Sequence, residues 1–323
     1  MELDKIGFYT LSDERVKNVS EASPMMRCEM ILTNRCNFRC PYCRGLWGDA
    51  NRHLRWDEIK TGLAFWVRDG LQNVRFSGGE PTAHENLCDA VRFCRDNGAK
   101  RIAISSNGSA DQKIYDGLLD AGANDFSVSL DACCSADGDI MTGVRGAFDK
   151  IIENITYLSQ KCYTTVGIVI TEDNIARTRE TILFAHHLGV SDIRIIPAAQ
   201  YGKKNSLDIL DIPNSVSRRH PILRYRINRL KLGLPVRGIS ISDCHTCYLT
   251  MDDSVIAGGY HYPCIIYMRE RGDAIGKVGE YMREERIEWL KKHNTYADPI
   301  CRNNCLDVCV DYNNRVFYLR GTI

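Results

Sequence analysis

The chain has 323 residues, with 42 Lys or Arg against 41 Asp or Glu and a formal charge of +1. At roughly 150 residues per domain the length suggests two domains. The near-zero charge argues against a nucleic-acid partner gripped by bulk positive charge. No apolar run approaches the ~18 residues of a membrane span. The N-terminal run MELDKIGFYTLSDERVKNVSE has no apolar stretch of a secretory signal, so a cytoplasmic location is expected.

Residues 1–25 form an N-terminal segment without a clear pattern. From 26 to 200, short β-rich runs alternate with amphipathic helical stretches. Strands are predicted at 28–33, 73–77, 101–106, 125–130, 165–170 and 192–197. Helices are predicted at 56–70, 85–98, 111–122, 147–160 and 175–189. Nearly continuous apolar strands, each followed by one helix, mean a parallel sheet covered by helices. Six such units suit either an open (β/α)6 barrel or a doubly wound sheet.

Residues 201–235 break this rhythm with three prolines and several basic residues, and read as a connector holding one helix. Residues 236–323 read as a small cysteine-rich second domain. Short strands are predicted there at 236–242 and 316–320, and a helix at 279–293. Such a domain needs something besides a hydrophobic core to hold it together.

The cysteines carry the chemistry. There are 15, an odd number, so complete pairing within the chain is impossible. In a reducing compartment clustered thiols are more often metal ligands or catalysts than disulfides. One cluster directly follows the first strand: Thr33-Asn34-Arg35-Cys36-Asn37-Phe38-Arg39-Cys40-Pro41-Tyr42-Cys43. Strand C-terminal ends carry the active sites of α/β sheets and barrels. Three thiolates this close suit a soft metal or an iron–sulfur cluster, and the spacing alone also suits a zinc knuckle. A cubane with three protein ligands keeps one iron open, as a catalytic metal requires.

Further motifs fall at the following strand ends: Ser77-Gly78-Gly79-Glu80-Pro81, then Ser105-Ser106-Asn107-Gly108, then Ser127-Val128-Ser129-Leu130-Asp131. Arg145-Gly146-Ala147-Phe148-Asp149 comes next. With C-x3-C-x-aromatic-C, this series resembles the radical S-adenosylmethionine superfamily over about residues 28–200. The resemblance implies a partial (β/α)6 barrel and an enzyme that reductively cleaves S-adenosylmethionine to a 5′-deoxyadenosyl radical. Cys36, Cys40 and Cys43 would hold the catalytic [4Fe–4S] cluster. The Gly78-Gly79-Glu80 backbone and the Glu80 side chain would hold the methionine amino group, and Tyr42 would contact the adenine. Ser106, Asn107, Ser129 and Arg145 would lie near the cofactor's ribose or carboxylate. A flavodoxin- or ferredoxin-like partner would supply the electron.

The second cluster comprises Cys244, Cys247, Cys264, Cys301, Cys305 and Cys309. It resembles the auxiliary-cluster extension called SPASM, or its shorter twitch form, with Gly259-x4-Cys264 matching a G-x4-C element. The x3 and x3 spacing of the last three departs from the SPASM central run. Four thiolates complete one cubane, so one auxiliary [4Fe–4S] cluster is expected, and a structural zinc site is the alternative. Cys247 and Cys264 are the favoured ligands.

The expected substrate is a small polar metabolite (sugar, nucleoside or amino acid), oxidised or rearranged. A peptide substrate is the other enzymatic reading, and a non-enzymatic electron carrier is the third. Only 35 residues precede Cys36, which favours the small molecule over a leader-bound peptide. Cys133 and Cys134, just past Asp131, are candidate hydrogen-atom donors. The ordinary alternative is that both thiols pack under the next loop.

Overall fold

The computed structural model describes residues 13–199 and 211–321. Nine strands form one sheet: β1 (Arg27–Thr33), β2 (Asn73–Gly78), β3 (Arg101–Ser106), β4 (Asp125–Ser129), β5 (Tyr163–Ile170), β6 (Asp192–Pro197), β7 (Asp253–Ala257), β8 (Tyr260–Tyr262) and β9 (Gly276–Lys277). Their order is β6-β5-β4-β3-β2-β1-β7-β8-β9. The first six strands run parallel, so the sheet curls into an unclosed partial barrel.

Helices α1 (Asp13–Asn18), α2 (Trp56–Arg68), α3 (Leu87–Asp96), α4 (Gln112–Ala121), α5 (Ser135–Thr142), α6 (Ala147–Ser159) and α7 (Thr178–His187) accompany this part. Their apolar faces explain the packing. In α2, Ile59, Leu63 and Trp66 are buried at helical spacing. They join Met30, Val74 and Phe76 of the strands in the main core.

The C-terminal part holds α8 (Asn214–Arg219), α9 (Pro221–Lys231), α10 (Ile265–Arg269), α11 (Met282–Lys292), α12 (Pro299–Asn304) and α13 (Asp307–Gly321). The predicted connector helix is therefore two helices within its described residues, broken at Pro221, which opens α9. The rest of the connector, 201–210, lies outside the described residues.

Two predicted strands are absent. Residues 236–242 form an irregular segment with a single bridge from Arg237 to Leu306. Residues 316–320 belong to α13. Their β-branched and aromatic side chains favour a strand locally. The stripe Val308, Tyr312 and Val316, buried at four-residue spacing, decides for the helix.

The strands that do form there, β7 and β8, make a hairpin closed by Gly258-Gly259, both at positive φ (60° and 87°). Two apolar runs around Gly-Gly are a hairpin signal in the sequence. The hairpin is not confined to a separate layer: β7 pairs with β1 in parallel, Cys28 opposite Ser254, so the cysteine-rich region extends the barrel sheet.

Arg286 of α11 locks this junction. It is fully buried and donates to the carbonyls of Thr250 (2.9 Å), Tyr262 (3.0 Å) and Asp253. Arg286→Ala strands three carbonyls and leaves a cavity, so a loss of about 3–5 kcal/mol is expected. Denaturant melts check this; a loss below about 1 kcal/mol would mean that water replaces the guanidinium.

Candidate active site

Parallel register brings the motif residues to one edge of the sheet. Thr33 pairs with Gly78, Ser106 with Val128, Ser129 with Gly167, and Gly167 with Arg194. The loop after Thr33 carries Cys36, Cys40 and Cys43, and all three line a cavity of about 280 Å³ inside the barrel mouth. Backbone and amide N–H groups aim at two of the sulfurs: Phe38 N lies 3.4 Å from Cys36 Sγ, and Gly45 N lies 3.4 Å from Cys43 Sγ. Burial pushes the Cys36 thiol up, and the Cys40 thiol up to about 11. A metal centre would therefore have to displace protons as it binds.

Gly78 and Gly79 are required by contact. A Cβ at Gly78, where φ is 152°, would sit 2.4 Å from the Thr33 carbonyl oxygen. At Gly79 it would sit 2.3 Å from the Arg35 carbonyl oxygen. The backbone uses this closeness: Gly79 N donates to Thr33 O (2.7 Å) and Glu80 N to Arg35 O (2.8 Å). The Gly-Gly-Glu turn is thus fastened to the cysteine loop, and both line the cavity.

Glu80 also lines the cavity, but its carboxylate is spoken for. It is 2% exposed and accepts from Thr82 Oγ1 (2.6 Å), Ser106 Oγ (2.9 Å) and Asn107 N (2.6 Å). Burial raises its pKa despite these bonds. The carboxylate therefore ties the β2 and β3 ends together. Ser106 Oγ further meets Tyr115 OH (3.1 Å), and the Asn107 amide donates to Asn37 (2.8 Å), reaching back to the cysteine loop. Ser129 is exposed on the cavity wall, with no side-chain hydrogen bond among the described residues.

Tyr42 donates its hydroxyl to Asp131, and Val169 N donates to the same carboxylate at 2.6 Å. Burial pushes Asp131 up to about 6. This couple fixes the tyrosine between the cavity and the cysteine loop.

Other expected residues stand elsewhere. Arg145 is exposed in the turn between α5 and α6 and is not among the cavity's lining residues. The guanidinium that does line the cavity near Ser129 is Arg194 of β6, which donates to Ser127 Oγ (2.7 Å). Cys133 and Cys134 are half-buried outside the lining, with Arg177 donating to Cys134 Sγ at 3.2 Å.

A second cavity, about 630 Å³, opens on the other side of the same loop. Cys36, Cys40, Cys43 and Gly79 line both cavities, so they meet at the thiols. Arg39, Arg44, Arg237 and Arg269 line the second one, and no Asp or Glu is among its described lining residues. Burial and the neighbouring Arg44 lower Arg237 to about 10. Sequence reasoning missed these arginines. Glu29 of β1, which also lines the first cavity, and Arg194 did leave a signal, as charged residues inside otherwise buried strands. Arg237 and Arg269 left none, because only the fold carries them to the loop.

In the C-terminal part, Cys247, Cys264, Cys301, Cys305 and Cys309 line one small, apolar cavity. Burial pushes Cys247, Cys264 and Cys301 up, and a hydrogen bond with Cys309 raises Cys305 further. Cys244 is not among the lining residues; its thiol lies 3.4 Å from the Thr246 carbonyl oxygen. His293 Nε2 stands 3.6 Å from Cys301 Sγ.

An open parallel barrel thus presents three thiols on a strand-end loop beside a Gly-Gly-Glu turn, a donor set suited to a soft metal. Residues 30–185 match the model of the Radical SAM superfamily, and the chain carries a radical SAM domain over that span. Members use S-adenosylmethionine and a [4Fe–4S] cluster. The chain is 25% identical over 297 residues to a probable GTP 3′,8-cyclase of Sulfurisphaera tokodaii, covering 85% of this chain and 92% of the relative. It is 24% identical to a probable GTP 3′,8-cyclase of Methanocaldococcus jannaschii, covering 82% and 94%. The fold is shared with anSMEcpe bound to AdoMet, at TM-score 0.59 and 14% identity over 93% of this chain and 94% of that one. It is also shared with Streptococcus suis SuiB bound to S-adenosylmethionine, at TM-score 0.59 and 14% identity over 84% and 66%.

Proposed function

We propose that this enzyme acts on a small anionic, nucleotide-like substrate held in the arginine-lined cavity beside the cysteine loop. The observation that carries this reading is the set Arg39, Arg44, Arg237 and Arg269, lining that cavity without a carboxylate among the described lining residues. Arg44 has an acidic partner, Glu270, while among the described residues Arg237 donates to the carbonyls of Pro197 and Asn304. Guanidinium groups suit phosphate and carboxylate oxygens. The activity named for the two long-matching relatives, probable GTP 3′,8-cyclase, agrees with such a substrate. A cyclase reaction is a rearrangement, one of the two outcomes expected from the sequence.

The cavities fit the cofactors by donor chemistry: three thiols face one space, with N–H groups directed at the sulfurs of Cys36 and Cys43. Cys36, Cys40 and Cys43 would hold the catalytic cluster, with S-adenosylmethionine beside it against Gly78, Gly79 and Ser129. Together these groups supply reductive cleavage to an adenosyl radical able to abstract hydrogen. The chain's own residues do the rest. Glu80 and Asn107 fix the loops, the Tyr42–Asp131 couple positions the tyrosine, and Arg39, Arg44 and Arg237 would orient the substrate. Four of the five C-terminal thiols that share a cavity would hold an auxiliary [4Fe–4S] cluster, and a flavodoxin- or ferredoxin-like protein would supply the electron.

Anaerobically reconstituted enzyme with reductant and a panel of nucleotides tests the substrate class. A nucleoside triphosphate should stimulate 5′-deoxyadenosine formation, and Arg237→Ala should raise its KM about tenfold, near 1.4 kcal/mol. No stimulation by any nucleotide would sink the reading.

A further inference from the structure

Helix α10 spans the distance between the two thiol groups. Its N-cap is Cys264, whose Sγ accepts from Tyr267 N at 3.4 Å. Its last residue is Arg269. One arm of that guanidinium donates to the Gly45 carbonyl at 2.7 Å, and the other to the Gly78 carbonyl at 2.9 Å. Gly45 lies two residues beyond Cys43, and Gly78 opens the Gly-Gly-Glu turn. Glu270, at the C-cap, pairs with Arg44, next to Cys43. Met268 between the two ends is fully buried and packs with Ile31 and Val255 of the sheet.

The geometry points to α10 as a strut: metal at the C-terminal thiols fixes Cys264, and Arg269 passes that order to the S-adenosylmethionine pocket. This inference rests on the proposed reading that the C-terminal thiols hold metal. Five residues of helix are only about 7 Å long, so displacement or disorder at one end has little room to relax before the other. Arg269 is also the one side chain among the described residues that bridges the cysteine loop and the Gly-Gly-Glu turn through their carbonyls. Gly78 and Gly79 have no side chains of their own to fix them. Their amide side is held by Thr33, their carbonyl side by Arg269. Arg269 is thus a positioning residue, acting through the backbone that the cofactor would touch.

The test is anaerobic equilibrium dialysis of S-adenosylmethionine against the full chain, with iron counted in every sample. Cys264→Ser and Arg269→Ala should each weaken binding about tenfold while the catalytic cluster's iron stays. The double variant should be no weaker than the single ones, because both remove the same coupling. Losses that multiply to about a hundredfold, or wild-type affinity in Cys264→Ser after its C-terminal metal is gone, would overturn the strut.

Should Cys264→Ser fail to fold, reciprocity provides a second measurement. At equilibrium, S-adenosylmethionine should raise the chelator concentration that half-removes the C-terminal metal about tenfold in the wild type, and not in Arg269→Ala. Equal protection in both proteins would overturn the strut. A wild-type chain that takes up no metal beyond the catalytic cluster would instead overturn the reading on which it rests.

Discussion

The triple variant Cys36→Ala, Cys40→Ala, Cys43→Ala is expected to lose about four irons per chain, the content of one cubane, and all reductive cleavage of S-adenosylmethionine. The three thiols share one loop and one cavity, and each single thiol has no substitute nearby. The fold should survive. The loop runs outside the strands, and its backbone bonds to Gly79 and Glu80 do not use the sulfurs. Iron analysis and 5′-deoxyadenosine assays, with circular dichroism as a folding control, check this. Cleavage at the wild-type rate would refute the assignment of the catalytic centre.

Full reconstitution of the wild type is expected to give about eight irons per chain, four in each of two cubanes. The C-terminal thiols would carry the second four. Replacing Cys247 and Cys305 together should remove that half and lower the stability of the region, because metal binding there contributes folding free energy. Cys244→Ser should keep all eight, since Cys244 is not among the residues lining the shared cavity. Twelve irons would require a third cluster, and four irons with one zinc would mean a structural zinc site. Loss of four irons in Cys244→Ser would show that the region rearranges when it is loaded.

Much of the catalytic end was legible in the sequence for a simple reason. Its parts are local: a run of cysteines, a Gly-Gly-Glu turn and a Ser-Asn-Gly turn, each directly after an apolar run. The strand period and the parallel alternation then bring successive strand ends to one edge. Glu80 shows the limit of that logic. It lines the cavity as its motif position implies, yet its four polar contacts belong to the protein, and a one-dimensional pattern does not say which way a carboxylate is already occupied. Arg145 and Arg194 show it again, since strand β6 carries a guanidinium to the cavity wall while the turn before α6 faces solvent.

By itself the sequence determined a parallel sheet covered by helices and a thiol set suited to metal, because thiol spacing and strand periodicity act over a few residues; the barrel and the radical chemistry came from the family resemblance of the strand-end motifs. It also determined that the C-terminal region carries a second set of thiols. Only the tertiary structure decided which five of those six thiols meet, that β7 joins the barrel sheet beside β1, and that α13 is a helix where local propensity favours a strand. It alone brought Arg44, Arg237 and Arg269 around one cavity. Those outcomes depend on contacts between segments far apart in the sequence. Burial and pairing across the sheet, which no local pattern encodes, select among the arrangements the chain allows.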